Sequence, residues 1–497
     1  MLIDHFVTIL PMPGETVRYR AVEDRHAVER YMTMKSIGRD LFADSHVVQT
    51  GRVNSTDIDL AYRFIADSAR ETDSEVSASF WCHLLITPEF IKSLSEEANA
   101  HGISVDTDAM VFAGVLHDAA RLAYPSAYAR NDLILDRMLK DFGIPKSVID
   151  VLPSFIERLE IASAMDFSEE QLRGDTGLKH HQSVLLNAYL RSLTPEQIIF
   201  NVADNLSKRN HVGVLTMNDL RTYLLYLDGT VYNGESVWPS VKNALAKRRE
   251  HALFQWHLVR RSVDWLSENG IPLDPIRENL KDYGARLVVA VRHGEVENPR
   301  GIVYNRDSVM DPADIVRLSD EGRMQIRGLG ERLSARRFRF TGMLVSPNTR
   351  TLESAGELSR VSGITPDTDD RLDDTYAPNV YLSGMSMDQF QEEFKGDIYD
   401  VSVWGATHER PETIAARISD VVRDMRDSLS AGEAGMVVTH GDPLAWFLNQ
   451  EETGQLPAPQ TLRNSRYPPK GSAVVFVYGP DDSLFTSYFI HGTGKKY

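Results

Sequence analysis

The C-terminal half of the chain alternates short apolar runs with amphipathic stretches. The apolar runs are rich in β-branched residues and lie at Leu287–Val291, Gly342–Val345, Gly435–Thr439, Ser472–Tyr478 and Leu484–Ile490. Helical periodicity separates them, at Thr349–Val361 and Ile414–Ser428. Because such alternation is typical of βαβ units, we predict a three-layer α/β domain around a mostly parallel sheet, with the last two strands paired at its end.

The N-terminal half has a different pattern. From Ser74 to about Trp265, apolar residues recur at helical spacing in nearly every segment. Three segments also carry the residues that favour a helix start. They are Thr87-Pro88-Glu89, Ser168 with Gln171, and Thr194-Pro195-Glu196-Gln197. We therefore predict an all-α bundle for this half.

The change of pattern also predicts the domain organisation. The breaker Asn269-Gly270-Ile271-Pro272 ends the helical half and places a boundary between 270 and 285. Residues 1–60 show little beyond a candidate strand at His5–Leu10 and a turn at Pro13-Gly14. The chain of 497 residues exceeds what one core usually holds. We predict an extension over 1–60, a helical domain over 61–280 and an α/β domain over 285–497.

Composition and charge restrict the partners. Hydrophobic residues make up 42% and charged residues 25% of the chain, as in ordinary globular proteins. The net charge of −17 argues against a nucleic-acid surface, which needs a basic face. The single cysteine, Cys82, excludes an internal disulfide and fits a reducing compartment. Without a signal peptide or an apolar run of about 18 residues, we expect a cytoplasmic protein with no membrane partner. An oligomer is compatible with the sequence.

Three apolar runs end in residues suited to binding phosphate. The first is followed by Arg292 and His293, the second leads to Arg350 at the next helix start, and the third is followed by His440. Because the carboxyl ends of parallel strands meet at one edge of the sheet, we expect these side chains to surround one pocket. Arginine forks bind phosphate oxygens, and the helix start beside Arg350 is expected to add backbone donors.

A histidine inside such a pocket suggests covalent phosphoryl transfer. An imidazole held against a phosphoryl group can attack phosphorus and form a phosphohistidine, which water then hydrolyses. The neighbouring cationic and polar groups would stabilise charge in the transition state. The leaving oxygen needs a proton from a carboxylic acid.

The motifs at these strand ends resemble those of the histidine phosphatase superfamily, which includes the phosphoglycerate mutases. They are RHGE at Arg292–Glu295, SPNTRTLES at Ser346–Ser354 and THG at Thr439–Gly441. The resemblance covers about residues 287–490 and implies a phosphoglycerate mutase-like fold without a cofactor. It implies that His293 is the nucleophile and that Arg292, Arg350 and His440 hold the phosphoryl group of a phosphorylated small molecule.

Two positions depart from the family's pattern. The family's acid is usually a Glu, whereas Leu372-Asp373-Asp374 offers Asp374 as the acid, with Asp373 as the alternative. Asn298 is displaced by one position from the family's Asn, which leaves its phosphate contact open. The Met385–Phe394 stretch and the loop around Trp404 lie where the family places variable segments over the pocket, so they are expected to select the substrate.

A second set of candidate residues lies in the helical half. His83, His117, Asp118 and Asp204 all fall in segments with helical pattern. Imidazole nitrogens and carboxylate oxygens suit Mn, Fe, Co, Ni, Zn or Mg, so the set predicts one divalent metal ion. The alternative for each residue alone is a structural role, as a core histidine or a solvated aspartate.

The ordered H…HD…D set, together with the GVLHDAARL segment, is similar to the HD-domain metal-dependent phosphohydrolase superfamily. The resemblance covers about residues 75–210 and implies an all-α HD-type bundle that hydrolyses a phosphate ester, often of a nucleotide. Arg121 stands where many members place a catalytic Glu. His180 and His181 are candidates for a second metal site or for plain surface residues. Among the histidines outside both patterns are His101, His211, His257, His408 and His491.

Two functional hypotheses follow from the pair of resemblances. The first is a bifunctional phosphohydrolase, in which one domain uses a bound metal and the other a phosphohistidine, with the option that the two act consecutively on one phosphorylated molecule. The second is a single active phosphatase or mutase domain, with the helical half serving as a nucleotide-sensing regulatory module.

Overall fold

The computed structural model of the chain describes most of its residues. The described residues are 25–72, 77–123, 131–153, 155–168, 171, 177–207, 220, 239–280, 283–304, 306–336, 338–376, 385–394, 399 and 409–492. The predicted strand at His5–Leu10, the turn at Pro13-Gly14 and the Trp404 loop lie outside them. The chain divides into two compact units, which contain residues 1–68 with 83–281 and residues 69–82 with 282–497.

The described part of the N-terminal 280 residues is helical, as predicted, while the HD-type arrangement stays a prediction. Its helices are Arg25–Phe42, His46–Thr50, Ser55–Thr72, Ala78–Ala100, Thr107–Leu116, Ala120–Ala123, Asn131–Asp141, Lys146–Ile149, Phe155–Ala164, His180–Ser192, Pro195–Leu206, Pro239–Glu268 and Leu273–Asn279. Apolar side chains on one face of these helices form the core, as where Met165, Tyr189 and Phe254 pack together. No described helix is long and apolar enough to cross a membrane.

Two of the three predicted helix-start signals are confirmed. Thr194 Oγ1 accepts a hydrogen bond from Gln197 N at 3.3 Å, and Gln197 Oε1 accepts one from Thr194 N at 3.1 Å. Ser168 and Gln171 make the same reciprocal pair. The third signal is wrong, because helix Ala78–Ala100 continues through Thr87 and Pro88. Thr87 is fully buried there, and its hydroxyl bonds with side chains of the helical core instead of capping a helix end.

The second unit contains a six-stranded sheet. Its strands are β1 Arg286–Arg292, β4 Arg339–Val345, β5 Asp367–Thr368, β6 Glu433–Thr439, β7 Ser472–Tyr478 and β8 Leu484–His491, in the spatial order β5-β4-β6-β1-β7-β8. A separate two-stranded sheet pairs β2 Val296–Glu297 with β3 Arg317–Leu318. Strands β5, β4, β6 and β1 run parallel, and β7 and β8 are antiparallel at the end of the sheet, as predicted.

Helices cover the sheet on both faces, which gives the three layers. In the described part of this unit, α-helices lie at Asp320–Ala335, Thr349–Ser362, Met387–Phe394, Pro411–Asp427 and Gly441–Thr453, and short 3₁₀ turns lie at Asp307–Val309, Pro312–Asp314, Asp370–Leu372 and Pro459–Asn464. Val288 and Ala290 pack with Ile418 and Phe447 from two of the helices. Because side chains alternate along a strand, Val289 and the other intervening residues face the opposite layer.

The register of the parallel strands brings three strand ends together. Arg292 of β1 lies opposite Thr439 of β6, and Val438 of β6 lies opposite Val345 of β4. The residues that follow continue this alignment, since His293 N donates to Thr439 O and Ser346 N donates to Val438 O. The predicted convergence of the strand ends is therefore present.

Candidate active site

His293 lies directly after β1 and is buried, with 3% of its surface exposed. Its Nδ1 is 2.8 Å from Gly294 O, and because a carbonyl can only accept, Nδ1 carries the proton. The Nε2 atom therefore keeps its lone pair. Burial lowers the pKa of His293 well below its ordinary value, and the charges of Arg350 and Arg292 lower it further. The imidazole is thus neutral and its free nitrogen is nucleophilic at physiological pH.

Arg292 is held against an aromatic ring. Its guanidinium carbon lies 5.0 Å from the centre of the Tyr467 ring, and its Nη1 donates to Pro468 O at 2.8 Å. Its Nε is buried and has no hydrogen-bond acceptor among the described residues. This leaves Arg292 with donor capacity that a phosphoryl oxygen can fill.

Gly441, the residue after His440, makes room for the Arg292 guanidinium. A Cβ atom at Gly441 would lie 2.7 Å from the guanidinium carbon of Arg292 and 2.4 Å from the Tyr467 hydroxyl oxygen. These separations are shorter than ordinary contacts, so a side chain at this position would have to displace the ends of the Arg292 and Tyr467 side chains.

We expect Gly441→Ala to lower kcat/KM for a phosphomonoester by roughly tenfold to a hundredfold, because overpacking of about 1–3 kcal/mol would displace Arg292. The matched control is Gly356→Ala in helix Thr349–Ser362, where no described atom lies within 4 Å of the new methyl group. Steady-state kinetics of both variants check this. Wild-type kcat/KM in Gly441→Ala would contradict the role given to this position.

Arg350 is completely buried near the start of helix Thr349–Ser362. Its Nη2 donates to Asp374 Oδ2 at 2.8 Å, and its guanidinium lies 5.2 Å from the centre of the Tyr304 ring. The helix start itself differs from our expectation of open backbone donors. Thr349 N donates to Asp307 Oδ2 at 2.5 Å. A carboxylate therefore already caps this helix end, and this backbone N–H is not open to a phosphate.

His440 follows β6 and is oriented by a small polar cluster. Its Nε2 lies 2.8 Å from Ser346 Oγ and 3.1 Å from Asn348 Nδ2. Since the Asn348 amide donates, Nε2 accepts and Nδ1 carries the proton. Nδ1 is buried, 3.5 Å from Asp374 Oδ2, with no hydrogen bond to a described residue. Burial lowers the pKa of His440 well below its ordinary value, followed by the charge of Arg350, so His440 is a neutral donor.

The two neighbouring aspartates have different surroundings. Asp373 accepts from Asn348 Nδ2 at 2.6 Å and pairs with Arg306, so its oxygens are committed to the scaffold. Burial raises the pKa of Asp374 to about 6, although Arg350 opposes this shift. The Asp374 side chain keeps 18% of its surface exposed, which lets a substrate reach it. The geometry favours Asp374 over Asp373 as the proton donor.

The side chain of Asn298, whose phosphate contact the sequence leaves open, forms hydrogen bonds with the backbone. Its amide donates to Ile302 O at 2.7 Å and accepts from Ile302 N at 3.1 Å.

The structure places the Met387–Phe394 helix within the predicted variable segment, and Val303 N bonds with Met385 O.

Sequence reasoning missed several residues that support this site. Asn348 and Ser346 stand inside the motif around Arg350, so their proximity to it was a usable signal. Asp307, Tyr304 and Tyr467 carry no such signal, because they reach the site from distant parts of the chain.

The structure brings together all four predicted metal-ligand candidates of the helical unit. His83 Nε2 lies 3.0 Å from His117 Nε2 and 3.4 Å from Asp204 Oδ1, and His117 Nε2 is also 3.4 Å from Asp204 Oδ1. Asp118 Oδ2 is slightly farther, at 3.5 Å and 3.7 Å from the two imidazoles. It also pairs with Arg121 at 2.9 Å. Among the described residues, His83, His117 and Asp204 have the spacing of a metal site.

The positions of His180, His181, His101, His257 and His491 are also described. His180 and His181 are exposed at the start of helix His180–Ser192. His101 is exposed and bonds with Glu97 O, and His257 is buried within helix Pro239–Glu268. His491 ends β8, whereas His211 and His408 fall outside the described part of the chain.

A family comparison identifies the second unit. Residues 288–487 match the model of the histidine phosphatase superfamily (branch 1), so the C-terminal domain belongs to this superfamily. The matched residues contain Arg292, His293, Arg350, Asp374 and His440. The match does not extend into the helical half.

Several solved structures are similar to the chain. Mycobacterial glucosyl-3-phosphoglycerate phosphatase has 16% identity and a TM-score of 0.33, with 41% of this chain and 96% of that chain covered. Bacillus stearothermophilus YhfR has 19% identity and a TM-score of 0.34, with 43% and 98% covered. Mycobacterial hydrolase 1 has 17% identity and a TM-score of 0.33, with 42% and 96% covered. No curated protein matches the chain.

Proposed function

We propose that the C-terminal domain hydrolyses phosphomonoesters of small molecules through a phosphohistidine at His293. The observation that carries this proposal is the state of His293. It is a buried, neutral imidazole whose proton is fixed on Nδ1 and whose pKa is lowered first by burial and then by the adjacent Arg350 and Arg292. Such a group combines a free nucleophile with cations that bind the oxygens of its target.

In the first step, the Nε2 lone pair of His293 forms a bond with phosphorus while the bond from phosphorus to the ester oxygen breaks. Arg292, Arg350 and the Nδ1–H of His440 bind the non-bridging oxygens, whose charge changes in the transition state. Asp374 gives its proton to the ester oxygen, which leaves as an alcohol. Its pKa of about 6 makes it an acid close to physiological pH.

In the second step, a water molecule attacks the phosphohistidine. The Asp374 carboxylate accepts the proton of this water, and the bond between Nε2 and phosphorus breaks to release inorganic phosphate. His293 and Asp374 return to their starting protonation states, so the cycle balances without a metal or cofactor.

The fate of a labelled phosphoryl group tests this reaction against a mutase. We expect label from a phosphomonoester to appear as inorganic phosphate, at a rate that a chelator leaves unchanged. Label that moves onto a second alcohol and never appears as free phosphate would contradict a hydrolase and support phosphoryl return to a bound acceptor.

We propose further that the helical unit holds a divalent metal ion through His83, His117, Asp118 and Asp204. The fit rests on the orientation of the two imidazoles. His117 Nδ1 lies 2.7 Å from Gly114 O, and His83 Nδ1 lies 3.2 Å from Ser207 O. Protons on both Nδ1 atoms leave two Nε2 lone pairs facing each other beside carboxylates, an arrangement that a cation stabilises.

A bound divalent ion would lower the pKa of a coordinated water and polarise a phosphoryl oxygen. We propose that this unit is a second phosphohydrolase, acting on a phosphate ester such as a nucleotide, which makes the chain bifunctional. The alternative is a nucleotide-sensing module that regulates one active domain. Asp118→Ala separates the two, because a second catalyst predicts loss of an activity that His293→Ala retains. If Asp118→Ala leaves every activity on a nucleotide panel intact, the helical unit is not a catalyst.

Metal removal should destabilise the helical unit. We expect stoichiometric metal in the purified protein, and a fall in its unfolding temperature of roughly 5 °C or more after chelation. Asp204→Asn should abolish the metal content, whereas Asp150→Asn, at an exposed aspartate paired with Lys146, should keep it. Elemental analysis and thermal unfolding measure both effects. Equal metal content in both variants would contradict the site.

A further inference from the structure

Most cationic side chains around the candidate active site have an acidic partner. The pairs are Arg350 with Asp374, Arg306 with Asp373, Lys470 with Glu295, and Arg417 with Glu409. Apart from Arg350, which the proposed mechanism assigns to the phosphoryl group beside the acid Asp374, these cations are neutralised by their partners, so a substrate gains little by approaching them. Among the remaining arginines, those without a carboxylate partner are the ones available to bind a further anionic group.

Arg292 and Arg463 are such arginines. Within the described residues, neither makes an ion pair, and Arg292 bonds only with a backbone carbonyl. Arg292 belongs to the proposed phosphoryl clamp. Arg463 has no function in that clamp, and its exposed guanidinium makes no hydrogen bond to a described residue.

Arg463 lies close to the clamp. Its guanidinium carbon is 6.0 Å from the centre of the Tyr467 ring, the same ring that lies 5.0 Å from Arg292. The two guanidiniums are therefore no farther apart than the sum of these distances. Arg463 thus lies beside Arg292, one of the two arginines of the clamp, at a shared aromatic ring.

The turn that carries Arg463 is held by a buried neighbour. Arg463 lies in the 3₁₀ turn Pro459–Asn464, and its neighbour Leu462 is buried against Trp446 and Tyr399. Asp442 is the acidic group with the largest electrostatic effect on Arg463, and its two oxygens accept the hydroxyls of Tyr467, at 2.5 Å, and Tyr399, at 2.8 Å. Arg463 is therefore an anchored cation whose acidic neighbour is engaged by tyrosines.

We infer that the substrate carries a second anionic group, a carboxylate or a further phosphate, and that Arg463 binds it while the clamp holds the scissile phosphoryl group. This inference rests on the proposed phosphatase function. It assigns Arg463 to substrate selection, since a neutral ester would gain nothing from it. A phosphoester with a second anionic group can contact both guanidiniums at once, whereas a neutral ester contacts only the clamp.

Three phosphate esters built on the same three-carbon chain test the inference: propyl phosphate, 3-(phosphonooxy)propionate and propane-1,3-diyl bisphosphate. We expect wild-type kcat/KM to be about tenfold or more higher for a charged ester than for propyl phosphate, and Arg463→Gln to remove most of this ratio. The two charged esters distinguish a carboxylate site from a phosphate site. The control Arg423→Gln, at an exposed arginine paired with Asp420, should keep the wild-type ratio.

The outcomes separate this inference from the function on which it rests. If the wild type hydrolyses propyl phosphate as well as both charged esters, or if Arg463→Gln keeps the wild-type ratio, the inference is overturned and the phosphatase stands. If the wild type releases phosphate from none of the three, the proposed function fails and the inference fails with it.

Discussion

His293→Asn is expected to lower kcat/KM for phosphomonoester hydrolysis by at least about 10⁴-fold, because it removes the nucleophile of a covalent mechanism. Asparagine is chosen because its amide can still donate to Gly294 O, as His293 Nδ1 does at 2.8 Å. Gly294 O therefore keeps a hydrogen-bond donor, whereas the nucleophilic Nε2 atom is removed. Phosphate release under saturating and limiting substrate measures the effect.

The control for this variant is His101→Ala, at an exposed histidine that bonds with Glu97 O in helix Ala78–Ala100. It should retain wild-type activity. Unfolding temperatures of both variants within a few degrees of the wild type show that the loss is chemical. Residual activity of His293→Asn within tenfold of wild type would exclude His293 as the nucleophile.

Asp374→Asn is expected to lower kcat/KM by about 10²–10⁴-fold for an alkyl phosphate, but by less than about tenfold for p-nitrophenyl phosphate. An alkoxide needs a proton in order to leave, whereas p-nitrophenolate leaves without one. The matched variant Asp373→Asn should not show this dependence on the leaving group, because Asp373 is committed to Asn348 and Arg306. Equal losses on both substrates would contradict Asp374 as the acid.

The pH dependence follows from the same residue. Because burial raises the pKa of Asp374 to about 6, its protonated form predominates below that pH and decreases tenfold per unit above it. We expect kcat/KM for an alkyl phosphate to fall above pH 6 in the wild type. His293 keeps its neutral form through this range, since its pKa is well below the ordinary value. The part of this decrease in kcat/KM that is due to Asp374 should be absent in Asp374→Asn, whereas the ionisation of the substrate affects both proteins alike.

The sheet and the convergence of its strand ends could be predicted because the signals are local. A buried parallel strand has a continuous apolar run, and the polar residue after it marks the strand end, as at His293 and His440. Because β4, β6 and β1 are neighbours in the sheet, the polar residues after these strands lie close together. The helix start at Thr194 was equally predictable, since its cap involves a residue three positions away.

The rest depended on contacts between distant parts of the chain. Asp307 caps the helix that begins at Thr349, and Tyr467 lies under Arg292 from the far end of the domain. Nothing in the local pattern of these residues predicts such partners. Thr87 shows the reverse case, because a local signal for a helix start was overridden by burial within a longer helix.

The choice between Asp373 and Asp374 also needed coordinates. The sequence offers two adjacent carboxylates, and their reactivity depends on their surroundings. Asp373 bonds with Asn348, whereas Asp374 lies beside Arg350 and His440 with part of its surface exposed. The proposal of Asp374 as the acid therefore depended on knowing the neighbours of each carboxylate.

Trapping of the covalent intermediate tests the central claim most directly. Asp374→Asn mixed with labelled p-nitrophenyl phosphate should form the phosphoenzyme readily but hydrolyse it slowly, because the base for the attacking water is missing. We predict nearly one labelled phosphoryl group per chain, stable to base and labile to acid, on the peptide that contains His293. Turnover without any labelled protein, or label on a peptide that lacks His293, would contradict the account.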